Sequence, residues 1–579
     1  MELDAGRAFL RNVVLIDDQA FSPGPIPPGP AAGEIVTPPE LGLQRSDAFS
    51  PPRTQDVGSY IDLDANISEE VDTAALVNAF ADSGISCAVL APHTARGQDR
   101  GRVVKLARRS DIVILDWMLQ SEDRSTRETS RNLIREIAQA DKDEGGRLRL
   151  LCIYTSDPAL VSVHREVVEA LSEVYGQDVV AGHSIDRFEI IAPHLRAVIL
   201  AKAISKSPVC KVTESQLPSI LINEFNMLAE GLLSGLALFS LGAIRDTAHQ
   251  LVARFSADLD AAYLSHRALT DPVAAEQFAV QLVGDELSAT LATAQVERLV
   301  HQQRVEDRIE KLLPEQRNPF VRRSRRSDTC HPVKREDAID VLKADPGNRP
   351  TSIARLDQNG ASVPLKDQAS LTRLFFEKNE DADDIDHAFA AISCLARNPL
   401  HETGRGNAPH LTLGTLLLSH PVDAPNGEAT KPLRADQLDG HEYLICIQPI
   451  CDTVRLEGPT TFPMMPLSRR LNLSQKFDIV SYATAGLSED KKPLRIMLST
   501  EGRRIRNLKM IEFEPRDGVV QAEWDSEAKT WRFKDSAGKT YWWLGELRTD
   551  HGHRTAGAFG SALSRIGLDE SEWLRLMAR

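Results

Sequence analysis

The stretch Asp111-Ile112-Val113-Ile114-Leu115-Asp116-Trp117-Met118-Leu119 decides how the first third of this 579-residue chain folds. A run of aliphatic residues stops abruptly at a carboxylate. Such a run, with no polar alternation, reads as a strand covered on both faces, as in the interior of a parallel sheet. Three further runs behave alike. Asn12-Val13-Val14-Leu15-Ile16 enters Asp17-Asp18, Leu150-Leu151-Cys152-Ile153-Tyr154 enters Thr155-Ser156, and Ala197-Val198-Ile199-Leu200-Ala201 enters Lys202. Helical segments separate the runs. Ligands of such sheets gather at the carboxyl ends of the strands. The sequence therefore predicts that Asp17, Asp18, Asp116, Thr155 and Lys202 meet at one edge.

That set has a chemical meaning. Clustered carboxylates repel one another and raise each other's pKa unless a cation sits among them. Mg²⁺ takes hard oxygen ligands, often one or two carboxylates with phosphate oxygens. A carboxylate is also a nucleophile toward phosphorus, and a hydroxyl and an ammonium stabilise charge on a transferring phosphoryl group. In this order the set resembles the receiver domain of two-component response regulators. The resemblance implies a flavodoxin-like fold with a five-stranded parallel sheet. It also implies Asp116 as phosphoacceptor and Mg²⁺ on Asp17, Asp18, Asp116 and the backbone carbonyl of Met118. Thr155 and Lys202 would bind the phosphoryl group, and the partner would be a histidine kinase or phosphotransfer protein. The purely structural alternative is an α/β sheet that happens to carry acidic residues at its strand ends.

The chain departs from that pattern in places. Residues 21–57, rich in Pro, Gly and Ser, follow the acidic pair where a helix is usual, and they cannot form one. The helix is expected near Ser68-Glu69-Glu70, with Ala74, Leu76, Val77 and Phe80 on one face. Ala203 stands where the family has Pro after the lysine, and Lys206 is a rival for that lysine's role. Ile199 replaces the family's switch aromatic, so a threonine–aromatic switch is not expected.

Length alone suggests about three domains at the usual 100–200 residues each. The boundaries read as a receiver-like domain over 1–206, helices over 207–316, a basic linker over 317–340 and a mainly β domain over 341–579. No apolar run reaches the roughly 18 residues of a spanning helix, and the N-terminus lacks the features of a signal peptide. Seven scattered Cys fit a reducing cytosol, so a cytoplasmic location is expected. A net charge of −15 argues against nucleic acid as a partner. The local exception, Arg322-Arg323-Ser324-Arg325-Arg326, reads as a solvated linker.

Residues 217–313 carry apolar residues at helical spacing, broken at Pro272 behind Thr270-Asp271, and 296–313 could pair with a second copy of the chain. Arg245 and His249 share one helical face, where internal ion pairs are the simplest reading. The segments LINEF, AIRDTAH and LDAAYLSHR resemble the helices of a group of atypical bacterial response receiver proteins, a group associated with antiphage defence. From 340 onward, two helices (335–343 and 369–379) precede short alternating runs with turn signals. Cys446 and Cys451-Asp452 could be a metal site, a redox pair or a nucleophile; buried packing is the simpler reading. No phosphate-binding loop or familiar hydrolase, kinase or nucleotidyltransferase motif is present. The leading expectation is a phosphoacceptor signalling protein. Its rivals are a scaffold that never carries phosphate and an effector enzyme using Cys446 or Cys451.

Overall fold

A computed structural model describes residues 4–20, 71–91, 98–119, 128–176, 182–269, 272–313, 320–324, 327–344, 354–356, 362–364, 371–376, 379–402, 404, 406–419, 441–470, 477–484, 493–500 and 508–563. These fall into two compact units. One comprises Met1–Ala248 with Thr290–Leu299, and the other His249–Ala289 with Val300–Arg579.

The first unit runs α1 (Ala5–Phe9), β1 (Asn12–Ile16), α2 (Thr73–Asp82), β2 (Ser86–Leu90), α3 (Gln98–Ala107), β3 (Ile112–Leu115), α4 (Glu128–Asp143), β4 (Arg149–Thr155) and α5 (Leu160–Tyr175). It continues with β5 (Gly182–Ser184), β6 (Glu189–Ala192), β7 (Leu195–Lys202), β8 (Lys211–Val212) and α6 (Leu217–Leu228). Strands β2-β1-β3-β4-β7 lie side by side and parallel. The expected five-stranded parallel sheet needs correction, because the sheet has eight strands and is mixed. The β5–β6 hairpin adds two antiparallel strands beyond β7, and β8 pairs in parallel with the end of β7. Strands this short give too little pattern to detect, and Phe188 closes the hairpin with a φ of 50°, outside the usual preference of a bulky residue.

Alternation along the strands makes two cores. Val14, Ile16, Val113, Leu115, Leu151 and Ile153 face α3, α4 and α5. Val13, Leu15, Ile112, Ile114, Leu150, Cys152 and Tyr154 face α2 and α6. The helices supply apolar stripes at helical spacing, such as Leu133, Ile134, Ile137 and Ala138 of α4. Helix α2 starts where Asp72 accepts the Ala75 N–H at 2.8 Å, later than expected; Ser68, Glu69 and Glu70 lie outside the described residues, as does 21–57. Although α6 falls in the stretch assigned from sequence to the middle helices, Leu217, Leu221 and Phe225 close the receiver-side core.

Helices α7 (Leu232–Arg254), α8 (Asp260–Leu269), α9 (Pro272–Thr293) and α10 (Gln302–Leu312) follow. The continuous helix expected over 296–313 is instead a short 3₁₀ segment, Val296–Val300, and then α10 behind His301. Thr270-Asp271 lies outside the described residues. The linker expected over 317–340 is corrected too: β9 (Phe320–Ser324) and β10 (Ser327–Pro332) form an antiparallel hairpin, and α11 (Arg335–Lys343) follows. Phe320 and Val321 are followed by Arg322, Arg323 and Ser324, so β9 carries no alternation from which a strand could be read.

After the short strands β11 (Ala354–Leu356) and β12 (Ser362–Pro364) come a 3₁₀ turn at Leu371–Phe375 and α12 (Asn379–Cys394), instead of a helix over 369–379. A ten-stranded antiparallel sheet then forms from β13 (Leu395–Arg397), β14 (Thr415–Ser419), β15 (Glu442–Cys446), β16 (Thr460–Arg470), β17 (Ile479–Ala483), β18 (Leu494–Ser499), β19 (Lys509–Phe513), β20 (Glu523–Asp525), β21 (Thr530–Lys534) and β22 (Thr540–Leu547). Helix α13 (Thr549–Leu563) ends the described chain. Trp542 and Trp543 point to opposite faces of β22 and enter separate cores.

One buried ion pair holds the receiver helices to the amino ends of the strands. Arg149, fully buried, binds both carboxylate oxygens of Asp141 in α4, and donates to the carbonyls of Ala107 (2.8 Å) and Ser110 (3.1 Å). Removing one partner of such a pair strands a buried charge and costs about 3–5 kcal/mol. Arg149→Met is therefore expected to lower the stability of the receiver by that amount, and Arg149→Met with Asp141→Leu to recover most of it. Amide exchange of β3 and β4 during urea titration checks this; a single variant as costly as the double would show that the pair itself is not the cause.

Candidate functional site

The parallel strands deliver their last residues to one edge. The Asp17 N–H donates to Leu90 O at 3.1 Å and the Asp116 N–H to Ile16 O at 2.9 Å, which extends the sheet ladder to the carboxylates themselves. Asp17 and Asp116 are buried and Asp18 is half-buried. One carboxylate oxygen from each of the three lies within 4.8 Å of the others. Lys202, at the end of β7, reaches in from the far side. Its Nζ stands 3.1 Å from Asp17 Oδ2 and 3.4 Å from Asp116 Oδ2.

The electrostatics follow from this packing. The Asp116 carboxyl is pushed up to about 6: burial is the largest cause, Lys202 opposes it and Asp17 adds to it. Burial alone would lower Lys202, yet Asp116 and Asp17 outweigh it and its ammonium is held above the usual lysine range. With all four groups ionised, three negative charges and one positive leave −2. That residual charge, carried by hard oxygens, fits a divalent cation such as Mg²⁺.

The loops around the cluster are fixed by short-range bonds. The Gln19 N–H donates to Asp17 Oδ1 at 2.9 Å, and the Met118 N–H to Asp116 Oδ1 at 3.4 Å. Trp117 and Leu119 return to the core on either side of an exposed Met118 side chain. Thr155 is fully buried at the end of β4, and its Oγ1 accepts the Asp157 N–H at 3.1 Å. Its register partner is Ala201, the neighbour of Lys202. Lys206 is exposed and outside the cluster, while Ile199 is an apolar core residue.

Sequence reasoning missed Ser130. From the first turn of α4 its hydroxyl faces the carbonyls of Asp116 (3.2 Å) and Trp117 (2.9 Å), latching the acceptor loop to the helix. The signal was available: Ser130, Leu133, Ile134 and Ile137 share one helical face, and a lone hydroxyl on an apolar face needs a partner.

Among the described residues, Cys446 and Cys451 are not brought into a comparable cluster. Cys446 is buried at the end of β15 and burial pushes its thiol up to about 12. Cys451 is exposed, free, and donates to Asp452 Oδ1 at 3.3 Å, which together with the Asp452 charge raises its pKa. Both shifts disfavour the thiolate that nucleophilic catalysis or metal ligation needs.

A parallel sheet ending in three carboxylates and a lysine is the arrangement of a receiver. Residues 9–207 match the family model described as the response receiver domain, and this part of the chain is a receiver domain. No curated protein and no solved structure matches the chain.

The lysine should carry much of the stability of the cation-free site. At an effective dielectric of about 20, two unit charges about 4 Å apart interact by about 4 kcal/mol. Lys202→Met keeps the apolar stem and deletes the charge. It is expected to destabilise the receiver by about 3–5 kcal/mol in a chelator, with Mg²⁺ restoring a substantial part. Amide exchange of β1 and β4 with and without Mg²⁺ measures both; a variant as stable as wild type in chelator would mean that the carboxylates are not jointly charged.

Proposed function

We propose that this protein is a phosphoacceptor of a two-component pathway, with Asp116 as the acceptor. The observation that carries the reading is the convergence of Asp17, Asp18 and Asp116 within 4.8 Å, with the Lys202 ammonium touching two of them. A carboxylate oxygen of Asp116 attacks the phosphorus of a phospho-histidine on a partner kinase or phosphotransfer protein. An O–P bond forms, the N–P bond breaks, and the electron pair returns to the imidazole of the donor. Lys202 is placed to leave Asp116 for the incoming phosphoryl oxygens, keeping the cation count at the site constant. The Thr155 hydroxyl, on the neighbouring strand end, is the second phosphoryl ligand.

Asp17, Asp18, Asp116 and the Met118 carbonyl are the groups that would hold Mg²⁺. Bound there, the ion supplies charge neutralisation of the phosphoryl oxygens during transfer. The chain's own contribution is to fix the oxygens beforehand, through the ladder bonds at Asp17 and Asp116 and the Ser130 latch.

The same reading takes 1–206 as receiver, 207–316 as a helical segment and 341–579 as the output region, acting in bacterial defence or stress signalling in the cytoplasm. Exposed Val252, Leu264 and Val280 on α7, α8 and α9 support self-association through these helices. No helix among the described residues is long and apolar enough to cross a membrane.

Incubation with Mg²⁺ and a small acyl-phosphate donor is expected to give an acid-stable, base-labile adduct on wild type and none on Asp116→Asn. Equal labelling of the variant would remove Asp116 from this role. No labelling of wild type by either the small donor or a kinase would favour the scaffold reading, for which the lost switch aromatic at Ile199 speaks.

A further inference from the structure

The pocket lysine is physically joined to a helix. Lys202 is the register partner of Val212 in β8, and the Ala201 N–H donates to Cys210 O at 2.9 Å. The Val212 carbonyl accepts the hydroxyl of Tyr154 at 2.8 Å, and the same hydroxyl lies 3.2 Å from Glu214 Oε1. Tyr154 immediately precedes Thr155 on β4. Its fully buried ring packs in the same core as Val212, Leu217, Leu221 and Phe225. Helix α6 starts five residues after Val212, at Leu217.

A tyrosine hydroxyl carries one proton. Facing a carbonyl and a carboxylate, it has two alternative bonded arrangements, one holding β8 and one holding the turn into α6. Where the end of β7 follows Lys202 toward a phosphoryl group, the paired β8 moves with it, and the acceptor better placed for the Tyr154 hydroxyl changes. Nothing in this path needs an aromatic at the position of Ile199, which lies in the opposite core.

We infer that Tyr154 is a positioning residue that couples Lys202 to helix α6 through β8, so that the state of the acidic pocket sets how α6 is held. The inference rests on the phosphoacceptor reading for its trigger, though not for the coupling itself. Packed interfaces with two discrete arrangements transmit small shifts in this way, whereas a continuous elastic response would fade.

The test uses the full-length protein and amide exchange over residues 211–228. Beryllofluoride with Mg²⁺, a mimic of an aspartyl-phosphate, is expected to change exchange there about fivefold in wild type and by less than about twofold in Tyr154→Phe. Tyr154→Phe should bind beryllofluoride as wild type does, a result that a merely structural defect at the pocket would not give. Glu214→Ala leaves the Tyr154 ring in its core and should also reduce the change. A second arm needs no phosphoryl mimic: Lys202→Met should alter exchange over 211–228 in the Tyr154 protein and leave Tyr154→Phe unaltered. Wild-type responses in both Tyr154→Phe and Glu214→Ala, or additive effects of Lys202→Met and Tyr154→Phe, overturn the coupling. Failure of beryllofluoride to bind wild type overturns the phosphoacceptor reading alone, and the second arm then decides the coupling.

Discussion

Three carboxylates forced together at the end of a buried sheet are the constraint on which the receiver unit turns. Asp17 and Asp116 sit within the ladder of the sheet, so they cannot separate to relieve their repulsion without breaking the bonds of β1 and β3. Lys202 is the internal answer to that repulsion. It neutralises part of the charge and leaves a net negative cluster of hard oxygens, the kind of donor set a divalent cation takes. A site fully neutralised from within would have little affinity for Mg²⁺, and one with no lysine would carry its full repulsion in the empty state. The observed compromise is one ammonium among three carboxylates, which lowers the repulsion of the cluster without removing its net negative charge.

Holding the oxygens still is a separate task from charging them. The two-sided burial of β1, β3 and β4 makes their ends rigid, since side chains of both cores interdigitate with helices on each face. The acceptor loop is held additionally by Ser130 from α4 and by Trp117 and Leu119 anchored below it. At the opposite ends of the strands, Arg149 gathers α3, the turn at Ser110 and α4 around one guanidinium. Fixed strand feet and latched loops mean that a change in the pocket is not absorbed locally.

Much of this was legible in the residues. Uninterrupted apolar runs ending in acids gave the parallel core and the convergence of Asp17, Asp18 and Asp116, because a strand covered on both faces leaves no ambiguity of period, and a charged residue at its end has only the sheet edge to go to. Met118, Thr155 and Lys202 lie where the strand ends put them, and Lys202 rather than Lys206 enters the cluster. What escaped had little periodicity to read. The β5–β6 hairpin, β8 and the half-exposed β2 are short or lie at sheet edges, where pairing rather than burial decides the structure. The hairpin at 320–332 was hidden because arginines dominate it. Ser130 and Tyr154 matter through partners distant in sequence, and no local pattern announces a bond of that kind.

The receiver is gripped at both ends of its sheet, and the two grips differ in character. At the amino ends of the strands, Arg245 of α7 donates to both oxygens of Asp111 and to the Phe9 carbonyl, with its guanidinium 3.9 Å from the Phe9 ring centroid. The same helix presses Gly242 so closely to α1 that a Cβ would stand 2.4 Å from Ala8 O, a contact only glycine permits. This joint is multivalent and has no spare acceptor, so it favours a single arrangement. At the carboxyl ends, beside the acidic pocket, the segment leading into α6 is held by a two-residue strand and one shared hydroxyl, while α6 itself is packed through buried Leu217, Leu221 and Phe225 and tied by the Arg196–Glu224 ion pair. The polar contact with an alternative acceptor therefore lies in the segment before α6, at the Tyr154 hydroxyl, and not at the α7 joint.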